Sequence, residues 1–140
     1  MATINATVTI GSDIISGVNI SNTMTMTKAG TNNGLDSTTG LNVKTVQTET
    51  AFKLFSNAEA TTLKASKVYI RNTGSSATDF FYIGFGEDLA AATIETIGRL
   101  YGSDWMLIPW DAVAATTHDI YAKASTAESA MTLEFIAFTE

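Results

Sequence analysis

Strict alternation is the feature that most constrains this chain. In Thr3-Ile4-Asn5-Ala6-Thr7-Val8-Thr9-Ile10 every even position is apolar and every odd one polar, the period of two of a strand buried on one face. Val18, Ile20, Met24 and Met26 continue the pattern, with Thr23, Thr25 and Thr27 on the other side. Threonine supplies 23 of the 140 residues; its branched β-carbon suits a pleated surface and is mediocre in a helix. Further strands are expected at Lys67 to Asn72, Phe80 to Phe85, 93 to 100, Trp105 to Ile108, Asp119 to Ser125 and Met131 to Thr139. About eight or nine short strands with no long helix point to an all-β sandwich or barrel. With no repeat, linker or low-complexity tract, a single domain over residues 1–140 is expected.

Irregularities in the pattern carry further expectations. Lys28 to Gly40 is rich in glycine and asparagine and reads as a turn-rich, mobile loop. From Leu41 to Phe55 the apolar phase slips from odd (Leu41, Val43) to even (Val46, Phe52, Leu54), which implies a bulge or break near Thr45. The segments 67–72 and 80–85 read as a hairpin around Thr73-Gly74-Ser75-Ser76. Glu87 to Leu100 mixes helix and strand preferences and is read as a short turn at 88–92 before a strand. Tyr101-Gly102-Ser103-Asp104 is a tight turn, and Pro109 marks a strand end or edge. Leu133 to Phe138 is apolar on both faces, so this strand is either central in the sandwich or covered by a second subunit.

Charge and residue usage narrow the function. The formal charge is −6 and the isoelectric point about 4.6, which opposes a nucleic-acid partner. Residues 1–71 set six cations against four carboxylates, +2, and residues 72–140 set two against ten, −8. This asymmetry points weakly to an oppositely charged partner surface, although a solvated acidic face is the plainer reading. No run approaches the roughly 18 apolar residues of a membrane span, and the opening residues lack a secretory signal, so no membrane partner is expected. Without that signal, the glycosylation sequons at Asn5 and Asn19 are chance matches. The chain has no cysteine, which removes disulfides and thiolate chemistry and fits folding in a reducing cytoplasm.

Catalytic, metal and cofactor sites are not expected. His118-Asp119 is the only histidine–carboxylate neighbour pair, but adjacent strand residues point to opposite faces and would not orient one another. Gly84-Phe85-Gly86 lacks the third glycine of a dinucleotide fingerprint and fits a sheet bend better. Glu87, Asp88, Asp104, Asp111 and Asp119 are oxygen ligands of the kind Ca²⁺ takes, without EF-hand spacing. Acidic loop residues are routine in sandwiches, so a structural cation is the lesser reading. A glycan-cleaving enzyme would need two facing carboxylates, and the sequence pairs none. Tyr101, Trp105 and Trp110 are the candidate interface anchors, since aromatic side chains bind sugars and fasten interfaces. The odd spacing of the two tryptophans places them on opposite faces of a regular strand, which leaves room for one in the core and the other as an exposed anchor, although the core is the favoured location for both.

Residues 67–140 also carry a resemblance. Lys67-Val68-Tyr69-Ile70-Arg71-Asn72-Thr73-Gly74, Ile97-Gly98-Arg99-Leu100-Tyr101-Gly102-Ser103-Asp104-Trp105 running into Ile108-Pro109-Trp110, Asp119-Ile120-Tyr121-Ala122-Lys123-Ala124 and Thr132-Leu133-Glu134-Phe135 resemble the small virion structural proteins of tailed bacteriophages, particularly marine phages and cyanophages. The chain has Gly102-Ser103-Asp104 where that group has a tighter Gly-Asp pair, and residues 1–66 show no placeable motif. The resemblance implies a jelly-roll-like antiparallel β-sandwich of about eight strands. It also implies a capsid decoration or cement protein on the virion exterior, made in the host cytoplasm, bound to the major capsid protein and often trimeric. It brings no catalytic residues. The alternative is a head- or tail-fibre module that binds host-surface glycan, which predicts an exposed aromatic or Asn/Asp-rich pocket at loop tips.

Overall fold

The computed structural model describes residues 4–15, 17–57, 66–86, 95–111 and 118–140. Among them are eleven strands and no α-helix. The alternation at the start of the chain builds β1 (Asn5–Gly11) and β2 (Asn19–Thr25), which pair with each other and with no other strand. β3 (Ser37–Thr38), β4 (Asn42–Val46), β6 (Lys67–Asn72), β9 (Trp105–Pro109) and β11 (Met131–Thr139) form one antiparallel sheet. β5 (Phe52–Phe55), β7 (Phe80–Phe85), β8 (Thr96–Tyr101) and β10 (Ile120–Ala124) form another.

The strand order is β3-β11-β6-β9 in the first sheet, with β4 also pairing β11, and β5-β10-β7-β8 in the second. From β4 onward the chain changes sheet at every step except β7 to β8, a winding compatible with the expected jelly roll. The core joins the two sheets. Phe55 of the second meets Phe135 of the first edge-on at 5.5 Å between ring centres, and Val68, Ile70, Phe81, Ile83, Ile120 and Leu133 around them are wholly buried. Burying each such side chain stabilises the fold by about 1.5–3 kcal/mol before entropy is counted.

Strand β11 is central in its sheet, between β6 on one side and β3 and β4 on the other. Met131, Leu133, Phe135 and Ala137 point into the core, while Thr132, Glu134, Ile136 and Phe138 are half-buried on the outer face.

Several expectations about connections fail here. The segments 67–72 and 80–85 do not pair as a hairpin: β6 pairs with β11 and β9, and β7 with β10 and β8. The Tyr101–Asp104 segment is the expected tight turn, closed by Asp104 N–H to Tyr101 O (3.0 Å), and it carries the chain from β8 to β9 in the other sheet. Burial decides against local pairing, because a strand following a loop can bury its apolar face equally well on the opposite layer. No bulge interrupts β4, whose register with β11 runs unbroken through Thr45↔Thr132. The apolar phase slips because Leu41 and Val43 lie on the outer face, each 61 % exposed, while Val46 faces the core.

Lys28–Gly40 is turn-rich as expected, but hydrogen bonds tie its first half down and β3 occupies Ser37–Thr38. Lys28 N–H donates to Asn33 O (2.8 Å) and Leu35 N–H to Met26 O (2.8 Å), and Leu35 is fully buried. The turn at 88–92, the first residues of the strand expected from 93, and part of the connection after Ser56 lie outside the described residues.

A close crossing explains two residues of the motif region. Buried Asn72 donates through Nδ2 to Leu100 O (3.0 Å) and accepts from Gly74 N–H (3.0 Å), while its backbone exchanges hydrogen bonds with the 103–104 turn. Gly102 N–H donates to Ser76 O at 3.1 Å, and a Cβ at position 102 would meet Ser76 backbone atoms at 2.6 Å. Only glycine lets the two loops touch here. The other glycine pair behaves as a bend: the β7–β8 register shifts between Ile83 and Gly84, and Gly86 takes a φ of 83°.

Candidate functional site

The three aromatic candidates occupy three different environments. Trp110 follows β9 and is 2 % exposed. Its indole N–H donates to His118 O (2.8 Å), and its ring lies 5.9 Å from Phe55. Trp110 is core.

Tyr101 is half-buried on the outer face of the second sheet. Its ring centre is 5.0 Å from that of Phe80, which meets Tyr82 at 4.9 Å. The Arg99 guanidinium lies 4.8 Å from the Phe80 centroid and 5.4 Å from that of Tyr82. The cation thus sits over two electron-rich ring faces.

Trp105 does not take the core position expected of it. It opens β9 opposite Arg71 and is 48 % exposed. Directly opposed residues share a face, so the registers define an outer row Val43–Glu134–Arg71–Trp105 and beside it Ile136–Tyr69–Leu107. The Tyr69 and Trp105 rings lie 6.2 Å apart, inclined by 33°. Arg71 Nη1 stands 3.8 Å from Glu134 Oε2 in a partly exposed ion pair. A groove of about 530 Å³ runs between this sheet face and β1, lined by Ala6, Thr7 and Val8 on one side and by Tyr69, Arg71, Ser103, Trp105 and Leu107 on the other. Sequence reading missed Tyr69, Arg71 and Glu134 because it paired β6 with β7. Pairing β6 with β9 and β11 would have set all three beside Trp105.

The arm formed by β1 and β2 has two unlike faces. Asn5, Thr7 and Thr9 hydrogen-bond across the ribbon to Thr25, Thr23 and Ser21. On the other face, apolar exposure concentrates towards the tip, at Ile10, Ile20, Ile15 and above all Ile14, which is 90 % exposed. From Ile4 to Thr27 the only charged side chain is Asp13.

No family model, curated protein or solved structure matches this chain. The functional reading therefore rests on these geometries and on the motif residues.

The carboxylates singled out as cation ligands have separate tasks. Asp104 Oδ2 accepts from Tyr101 N–H (2.9 Å) and closes the turn. Asp119 is buried; Lys53 Nζ lies 2.6 Å from its Oδ2, and Asn57 N–H donates to its Oδ1 (2.7 Å). Asp111 is exposed, and Glu87 and Asp88 lie outside the described residues. Among the described residues no three His, Asp or Glu side chains converge as metal ligands would. His118 turns away from its neighbour: its Nδ1–H donates to Asp111 O (2.8 Å), and its ring packs on Phe85 at 6.2 Å. Lys53 has its pKa raised above 10.5, first by the hydrogen bond to Asp119 and then by that to Tyr121, against the opposing effect of burial.

A second concavity of about 350 Å³ lies at loop tips and is lined by Asn72, Gly74, Ser75, Ser76, Asp79 and Ser129 among others. It has no aromatic wall, and both polar groups of the Asn72 side chain are already engaged. Among the described residues there is no helix long and apolar enough to cross a membrane.

Proposed function

We propose that this chain is a non-catalytic virion structural protein of a tailed bacteriophage. Made in the host cytoplasm, it decorates the outer capsid surface as a homo-oligomer, a trimer, and binds the major capsid protein. The observation that carries this reading is the arm. A two-stranded ribbon is marginal in water by itself, and its unpaired edges are ordinarily guarded by charge. This one carries almost none, and it presents isoleucines at its tip to solvent. Such a surface fits a neighbouring protein. The phage-protein resemblance of residues 67–140 names the assembly, and the two-sheet body suits a rigid cement.

The test pairs purified expanded capsids with the full-length chain and with an Ile10→Asp/Ile20→Asp double variant, which charges a directly opposed cross-strand pair. The native chain is expected to co-sediment with capsids and raise their thermal stability. The double variant is expected to keep the unfolding transition of its body and lose both effects. A native chain that neither binds capsids nor changes their stability refutes the reading.

A further inference from the structure

We propose that the groove between β1 and the outer face of β6 and β9 is a binding site for a neutral oligosaccharide, with the Trp105 indole as its platform. The chemistry of the walls selects this class. A pyranose ring has a C–H face that stacks on an aromatic ring and a rim of hydroxyl groups that need planar hydrogen-bonding partners. The groove offers both. Trp105 and Tyr69 form an inclined aromatic trough, Arg71, Ser103 and Thr7 line it with donors and acceptors, and Glu134 stands beside Arg71. Its size, about 530 Å³, lies within the ~300–1,000 Å³ usual for small-ligand sites.

Other ligand classes fit less well. An anion would need uncompensated positive charge, but Arg71 is offset by Glu134 at 3.8 Å. Nucleic acid meets the same obstacle on a chain of net charge −6. A purely apolar ligand would leave the guanidinium and carboxylate stripped of water without replacement partners. A polyhydroxylated, uncharged molecule gives the Arg71 guanidinium replacement partners while covering the indole. The site lies on the sheet face and not at the loop tips where a glycan-binding module was expected. It stands apart from the capsid proposal, whose test reads the arm tip, so either can fail without the other.

The experiment exploits the two tryptophans. Trp110 is buried and Trp105 exposed, so acrylamide quenching of the native chain reports chiefly on Trp105. Maltohexaose, cellohexaose, chitohexaose and mannohexaose are titrated separately into the full-length protein. At least one is expected to shift the emission to the blue and protect it from quenching, saturably, with matching heat in calorimetry. Trp105→Thr abolishes both signals. Arg71→Gln/Glu134→Gln, which removes both charges and leaves the two trough aromatics in place, weakens binding by at least about tenfold, the equivalent of ~1.4 kcal/mol. Circular dichroism checks that each variant keeps the β-rich spectrum. No response to any of the four probes overturns the proposal, as does binding that survives Trp105→Thr. Protection of Trp105 that depends on protein concentration alone also overturns it, because a second copy is then the occupant.

Discussion

The arm and the body are both built of strands with two unlike faces and end in opposite states. In β11 every odd residue from Met131 to Thr139 is buried and every even one half-buried. In β2, where Ile20 and Met24 alternate with polar residues and only Asn22 breaks the pattern, every residue is exposed. Alternation decides which side chains share a face. Whether that face is covered depends on how many layers the rest of the chain supplies, and here the body spends its second layer on itself. The arm has the pattern of a half-buried strand and lacks the other half.

Truncating one large apolar residue in each region tests this contrast most severely. Trp110→Ala is expected to cost about 3–5 kcal/mol in denaturant unfolding, because it opens a cavity beside Phe55 and frees the His118 carbonyl. Ile14→Ala, at the arm tip, is expected to stay within about 0.5 kcal/mol for the isolated chain. A large loss at Ile14 would mean that the arm is already packed in solution. Next in size, Gly102→Ala forces a methyl group into the Ser76 backbone and is expected to cost about 1–3 kcal/mol, read as a shift in unfolding midpoint at unchanged slope. The smallest effect is electrostatic. The Lys53 pKa is raised in the folded state, so the ion pair with Asp119 contributes fully below pH 10.5, and its contribution is lost as pH rises through the folded-state value. The stability difference between the native chain and Lys53→Met should therefore narrow in alkali, and a constant difference would remove the ion pair from the account.

Strand positions were largely legible, because 67–72, 80–85, 105–108 and 131–139 each show an apolar period or run bounded by turn residues. Pairing was less legible. Residues 73–79 look like a hairpin loop because serine, glycine and threonine favour any reversal, whether it returns to the same sheet or crosses to the other. Leu41 and Val43 misled for a related reason: an apolar side chain on an outer face imitates a change of phase. Tyr101 and Trp105 were visible as aromatic candidates, but Tyr69, Arg71 and Glu134 become neighbours of Trp105 only through pairings spanning more than thirty residues, which local periodicity does not encode. The odd spacing of Trp105 and Trp110 allows one exposed tryptophan, but which of the two it is depends on the same long-range pairings.

The place of β11 has a consequence for how the molecule is made. Among the described residues strands β3 and β4 pair only with β11, and β6 leans on it along six positions. During synthesis β3 and β4 emerge first and must wait without a strand partner until residues 131–139 have left the ribosome, while β6 has only β9 to pair with before then. Loop closure of this span is slow, and through the delay the apolar stretch from Leu41 to Phe55 stands open to capture by other nascent chains. A low expression temperature in the laboratory, which slows such capture, is therefore expected to raise the yield of the folded chain.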